Sequence, residues 1–186
     1  SIISNIMKGI QEIKNLKDKK VLLRVDFNVP VINGKIGESF RISRQKPAID
    51  YLLANGARVV ITSHISAVDS FELILTQLED MLGHRINFLK ELDDPQSVIR
   101  SPQSNDLLLL DNIRRWPGEE KNDEKFAEGL AKGFDFYINN AFGVCHRKHA
   151  SVSAITKFLP SYAGPLIEEE TVQLQKTIAS SKDGKL

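Results

Sequence analysis

Six polar residues stand at the ends of apolar runs, where side chains from distant parts of a chain can meet. Asp26 and Asn28 follow Val21-Leu22-Leu23-Arg24-Val25, and His64 follows Arg58-Val59-Val60-Ile61-Thr62-Ser63. Arg114 comes directly after Leu107-Leu108-Leu109-Leu110-Asp111-Asn112, and Arg147 comes after Asn139, Asn140 and His146. Arg41 lies near the start of the helix that follows the first run. Guanidinium groups bind phosphate or carboxylate through paired hydrogen bonds, at about 1.5–3 kcal/mol per charged bond. Asp26 as an acceptor, with Asn28 donating or accepting, suits a hydroxyl. The set points to a small polyanion that carries a hydroxyl.

Singly, each residue has a plainer reading. Asp26 can cap a loop. His64 can be a satisfied structural histidine. Arg114 and Arg115, beside Trp116, can be an exposed pair with one cation–π contact. Arg147, within His146-Arg147-Lys148-His149, can be a solvated charge. Their common position favours function, because open α/β sheets bind ligands outside the carboxyl ends of their strands. Cys145, His146 and His149 make a poor metal set, with no second ligand cluster and no Cys-x-x-Cys spacing. Cys145 and His146 are adjacent, which seldom lets a nucleophile face its base. Neither Gly-x-x-x-x-Gly-Lys-Ser/Thr nor Gly-x-Gly-x-x-Gly occurs, so nothing is built to cradle a nucleotide triphosphate.

The elements that would hold these residues alternate. Strands are predicted over Val21–Pro30, Arg58–His64, Arg85–Leu89, Asp106–Asn112 and Phe134–Ala141, the last clear one. A turn at Asn33-Gly34-Lys35 permits positive φ. A helix starting between Ser39 and Pro47 ends at Leu53 or Ala54, with Gly56 as its cap. Ser70 caps a helix with Ile74, Leu78, Met81 and Leu82 on one stripe and Gly83 at its end. Asn122-Asp123-Glu124-Lys125 opens a helix that Gly133 ends, its acids favourable to the dipole. Residues 90–104 read as loop. A last helix spans roughly Glu168 to Ala179, and Ser180 to Leu186 reads as a linker. Alternation of this kind implies βαβ units and a parallel sheet with helices on both faces, a Rossmann-like three-layer α/β/α fold.

Composition narrows the function classes. The 186 residues carry 25 Lys+Arg and 24 Asp+Glu, a net +1, too neutral for the basic footprint of a nucleic-acid domain. At 41% hydrophobic and 26% charged, the chain resembles an ordinary globular domain. One cysteine excludes an intrachain disulfide and fits a reducing compartment. No apolar run reaches the ~18–20 residues of a membrane span. The N-terminus lacks the pattern of a secretory signal, so cytoplasmic residence is expected.

At these residues the sequence resembles the N-terminal domain of phosphoglycerate kinase. Val21 to Pro30 matches that family's first strand nearly letter for letter. Arg41-Ile42 with Pro47 and Ile49, Thr62-Ser63-His64, Asp111-Asn112-Ile113-Arg114 and Glu119 to Asp123 match in order. Asn139 to Gly143, His146 to Ser151 and Ala163-Gly164-Pro165-Leu166 complete the set. The resemblance implies phosphoryl transfer between 1,3-bisphosphoglycerate and ADP, giving 3-phosphoglycerate and ATP. It implies that Asp26 and Asn28 contact the glycerate, and that Arg41 reaches toward the transferring group as the catalytic cation. His64, Arg114 and Arg147 would join a basic patch at the substrate's phosphate. The magnesium nucleotide would sit on a C-terminal domain that this chain lacks, with no cofactor or metal held here. Residues 1–167 would be the glycerate domain, and 168–186 the interdomain helix and the start of a linker. A monomer without catalysis of its own is expected.

Departures fall at functional places. After His64 the family has Gly-Arg-Pro, and this chain has Ile65-Ser66-Ala67-Val68. One lost charged contact implies about 10- to 150-fold weaker glycerate binding, unless another residue such as Arg115 substitutes. Asn140 replaces an acid and Glu169 a lysine, both near the hinge. These changes keep open a stand-alone phospho-acid binding module, or a half-protein that awaits a separate partner.

Overall fold

The computed structural model describes residues 7–92 and 107–183. Its centre is β1 (Lys20–Arg24), which is followed by a small hairpin of β2 (Val31–Ile32) and β3 (Lys35–Ile36). Two short helices, α1 (Phe40–Ser43) and α2 (Lys46–Ala54), lead to β4 (Arg58–Thr62). Then come α3 (Leu75–Leu82), β5 (Asn87–Leu89) and β6 (Leu107–Leu110). The chain continues through α4 (Glu124–Ala131), β7 (Phe136–Asn139), β8 (Ser161–Ala163) and α5 (Pro165–Asp183). Six strands form one sheet in the order β5-β6-β4-β1-β7-β8, every pair parallel.

Strand periodicity explains the layers. Val21 and Leu23, with Val59, Ile61, Leu107 and Leu109, pack against Ile49 and Leu52 of α2 and Leu78 and Leu82 of α3. Leu22, Val60, Leu108 and Leu110 point the other way, toward Leu130 of α4, Ile155 and Leu159. Both faces are therefore covered, which is why these strands read as unbroken apolar runs. This is the expected three-layer α/β fold.

Local departures have local causes. The first strand ends at Arg24, because beyond it the Ser63 hydroxyl replaces the ladder. Phe27 N donates to Ser63 Oγ at 3.0 Å, and Ser63 Oγ donates to Val25 O at 2.9 Å. The helix expected from residue 39 or later breaks in two at Arg44–Gln45, because Pro47, in the first turn of α2, has no N–H for the carbonyl of Ser43. Ser70 caps as expected, accepting from Glu72 N at 3.1 Å, but the first turn, Phe71–Ile74, is 3-10. Asp123 caps α4 by accepting from Phe126 N at 2.7 Å. Asn33 and Gly34 both take positive φ, 51° and 74°, as a two-residue hairpin turn requires. β8 was not predicted, being only three residues long. The last helix starts at Pro165 and continues to Asp183, so 180–183, read as linker, are helical. The predicted loop from 93 to 104, Asp106 at the start of its strand, residues 1–6 and the tail 184–186 lie outside the described residues.

Candidate functional site

Register brings the polar residues to one edge. Arg24 of β1 pairs with Thr62 of β4 and Asn139 of β7. Two residues past those pairs lie Asp26 and His64, at the same height above the sheet. The chain leaves β1 toward β4 and leaves β7 toward β8, so the topology reverses between β1 and β7. That reversal is where an open α/β sheet leaves a crevice. A cleft of about 350 Å³ lies there, lined by Asp26, Asn28, Arg41, His64 and Arg147 among others.

Five of the six predicted residues thus share one cleft, each held differently. Asp26 Oδ1 accepts from Asn28 N at 3.1 Å, which is the loop-capping role the sequence left open. Its Oδ2 lies 3.8 Å from Arg41 Nη1, and Arg41 Nη1 also donates to Asn28 O at 2.8 Å. Asn28 Oδ1 accepts from Ser66 N at 2.9 Å, so the amide Nδ2 is what Asn28 offers a ligand. Arg147 is exposed, and its guanidinium has no ion-pair partner among the described residues.

Arg114 is placed apart. It is not among the residues lining the cleft, and its Nη1 donates to Ser66 Oγ at 3.1 Å while Nε lies 3.6 Å from Glu120 Oε1. Arg115, the candidate substitute for the missing arginine of the Ile65–Val68 loop, is not among the residues lining the cleft. Its Nη1 donates to the buried carboxylate of Asp111 at 2.6 Å, and its guanidinium lies 5.8 Å from the centre of the Trp116 ring, the expected cation–π contact. Asp111 also accepts from Ser70 Oγ and from Phe71 N, so it holds Arg115 as part of a structural cap.

His64 lines the cleft beside the arginines but is buried. The ring is 2% exposed. Burial first, then Arg24, Arg114, Arg147 and His149, push its pKa from 6.5 down to about 3. His149 is also pushed down, mainly by burial. Positive charge at the cleft comes from arginines, and His64 Nε2 is buried with no hydrogen-bond partner among the described residues.

Sequence reasoning did not single out several residues here. Arg44, Gln45, Phe142, Gly143, Val144, Leu166 and Glu170 complete the cleft wall. Gln45 is buried, and its Oε1 accepts from Asn140 Nδ2 at 2.7 Å. Arg44 Nη2 lies 3.7 Å from Glu169 and 3.9 Å from Glu170, tying α5 to the cleft edge. The fully buried Arg24 was read only as part of a strand. Its signal was available, as an arginine inside an otherwise apolar run of a sheet covered on both faces.

Among the described residues no group of three or more His, Cys, Asp or Glu could hold a metal ion. No described helix is long and apolar enough to cross a membrane.

This geometry has close relatives. The phosphoglycerate kinase of Wolbachia pipientis subsp. Culex pipiens is 42% identical over 170 residues, which is 87% of this chain and 43% of that protein. The structure of phosphoglycerate kinase from Coxiella burnetii matches with a TM-score of 0.77 at 28% identity, covering 88% of this chain and 43% of that one. The Pyrococcus horikoshii phosphoglycerate kinase structure matches at 0.81 and 28% identity, covering 91% and 45%. The chain therefore spans less than half the length of these relatives. The family model described as phosphoglycerate kinase matches residues 10–185. With sequence and sheet in agreement over nearly its whole length, the chain belongs to the phosphoglycerate kinase family.

Proposed function

We propose that this chain is the glycerate-holding half of a phosphoglycerate kinase, binding 3-phosphoglycerate or 1,3-bisphosphoglycerate in the cleft between β1 and β7. The observation that carries this reading is the cleft's mixture of groups at the switch point. Arg41 and Arg147 supply positive charge, His64 and Asn28 supply neutral donors, and Asp26 supplies an acceptor for a hydroxyl. A phosphorylated hydroxy acid has the complementary set.

In the proposed division, residues 1–167 are the binding domain. Residues 168–186 are the interdomain helix and the start of the linker toward a nucleotide-binding domain, although α5 itself begins at Pro165. Phosphoryl transfer leaves little covalent work to the protein, so placement and charge stabilisation dominate. Arg41 suits the role of catalytic cation. One of its nitrogens is anchored on Asn28 O, and its side chain stays 43% exposed toward an arriving phosphoryl group. The magnesium nucleotide belongs, on this reading, to the second domain. Residence in the cytoplasm and a monomeric state are part of the same proposal.

Titration calorimetry at low salt tests the binding. Millimolar 3-phosphoglycerate should give saturable heat with the folded chain. Arg41→Ala and Arg147→Ala should each weaken binding about 10- to 150-fold, the value of one charged hydrogen bond. No heat, or two variants that bind as the parent does, overturns the proposal. The chain alone should not turn over ATP and 3-phosphoglycerate, and turnover would contradict the division of labour.

A second reading is a stand-alone module for another phosphorylated acid. It is favoured by Arg114, which is turned to Ser66 and Glu120 and leaves the cleft with fewer cations than the sequence promised. The double variant Ser66→Gly, Ala67→Arg separates the two. It should raise 3-phosphoglycerate affinity in a kinase domain and leave it unchanged in the module.

A further inference from the structure

We infer that Arg24 is a positioning residue for His64: by donating to Nδ1, it holds the imidazole as the Nε2–H tautomer, which gives the cleft a neutral hydrogen-bond donor. The inference rests on the reading that this cleft binds a phosphorylated acid, and it names how one of its groups is set.

The geometry leaves little choice. Arg24 Nη2 lies 3.0 Å from His64 Nδ1, and both residues are buried. A guanidinium has donors and no acceptor, so Nδ1 must accept. A neutral ring that accepts at Nδ1 carries its hydrogen on Nε2. That nitrogen is buried and has no hydrogen-bond partner among the described residues. His64 lines the cleft and Arg24 does not, so Nε2–H is the ring's remaining polar group for whatever the cleft holds. Buried donors are rarely left unpaired, because each costs the desolvation of a polar group. A carboxylate or phosphate oxygen of the ligand would satisfy it.

Arg24 is itself fixed in orientation. Its Nε donates to Ser151 Oγ at 3.0 Å and its Nη1 to Val25 O at 2.6 Å. Ser151 Oγ passes the direction on, donating to the buried Glu119 Oε1 at 2.6 Å, while Ser151 N donates to Glu119 Oε2 at 2.8 Å. Tyr137 Oη donates to Ser151 O at 2.7 Å. The two bonds through Ser151 Oγ both run from Arg24 toward Glu119, so the serine hydroxyl cannot turn without leaving the carboxylate. Three donors of one planar fork are committed to three different acceptors. A lysine's three donors share one nitrogen and lack the spread of the planar fork that meets these three acceptors. The charged or titratable groups acting on His64 are Arg24, Arg114, Arg147 and His149, and all four disfavour the imidazolium. The ring's tautomer is thus set by Arg24, a residue that does not itself line the cleft.

Nitrogen-15 NMR of the histidine rings in the 186-residue chain tests this without any ligand. His64 should show a protonated Nε2 and a bare Nδ1, unchanged between about pH 5 and 8. A protonated Nδ1, or a ring that titrates in that range, overturns the inference. The variant Arg24→Gln offers Nδ1 a donor or an acceptor, so both tautomers should appear. Because it removes the buried cation whose field opposes the Glu119 charge, it is accompanied by the double variant Arg24→Gln, Glu119→Gln, in which that charge is removed too. In the folded double variant the tautomers should mix and 3-phosphoglycerate affinity should fall about 10-fold or more. A double variant that keeps the pure Nε2–H form and the parent's affinity also overturns it. If the parent shows the predicted tautomer yet gives no heat with 3-phosphoglycerate, the tautomer lock stands and the ligand reading fails.

Discussion

His64 links stability to pH through the unfolded chain. Unfolded, it takes a proton near pH 6.5; folded, it resists until about pH 3. Below pH 6.5 the unfolded state therefore binds more protons, and stability falls as pH falls. The loss is about 1.4 kcal/mol per pH unit for this residue alone, or about 2 kcal/mol between pH 6.5 and 5. His149 adds to it in the same direction. Urea denaturation across that range should show the slope, and His64→Gln should flatten it by about one proton's worth. An equal slope in both proteins would mean that His64 is charged when folded. Asp26 and His64 are legible in the sequence because each follows a largely apolar run. Arg24's role was not, because Ser151 is 127 positions away and only the fold shows which buried hydroxyl it meets. Arg114 stood in the right place along the chain. Its side chain went elsewhere because Ser66 occupies the loop position beside it.

Among the elements, the junction of β7 with α5 is the most tightly specified. Asn140 is fully buried, donates to Gln45 Oε1 and accepts from Leu166 N at 3.0 Å through Oδ1. It thereby joins the end of β7, the α1–α2 break and the first turn of α5. Gly164 makes room for it, since a Cβ there would sit 2.4 Å from Asn140 Oδ1. Gly164→Ala should destabilise the chain by about 1–3 kcal/mol, the range for overpacking, and should loosen α5 from the cleft edge. Denaturant midpoints check the first effect. Faster amide exchange in the first turn of α5 checks the second. An alanine variant as stable as the parent would show that the junction gives easily. The sequence announced this corner only as Asn139-Asn140 and Gly164-Pro165. Nothing in spacing tells that the two segments touch. The strands and helices were easier, because an apolar run covered on both faces and a Gly at a helix end are local signals. The helical 180–183 segment carries no apolar stripe and so read as linker.

For the molecule as a whole, a ligand that binds only the folded cleft stabilises all of it. At 3-phosphoglycerate about 100 times its Kd, the unfolding free energy should rise by about 2.7 kcal/mol. A urea midpoint that does not move under those conditions counts against a cleft formed only on folding. Net charge is uninformative at this scale. A total of +1 hides a cleft wall on which Arg41, Arg44 and Arg147 stand with the acids Asp26 and Glu170.

The sheet order also sets a clock on synthesis. β1 is made first of the six strands yet ends in the middle, between β4 and β7. Once Thr62 has been added, 139 − 62 = 77 further residues must follow before β7 is whole. At about 5–20 residues per second on a ribosome, that is roughly 4–15 s. Throughout it, one edge of β1 carries unpaired amides and carbonyls, with Leu22 and Val60 not yet covered by Leu130. The β1 edge that β7 will occupy therefore stays unpaired for seconds while the chain is made.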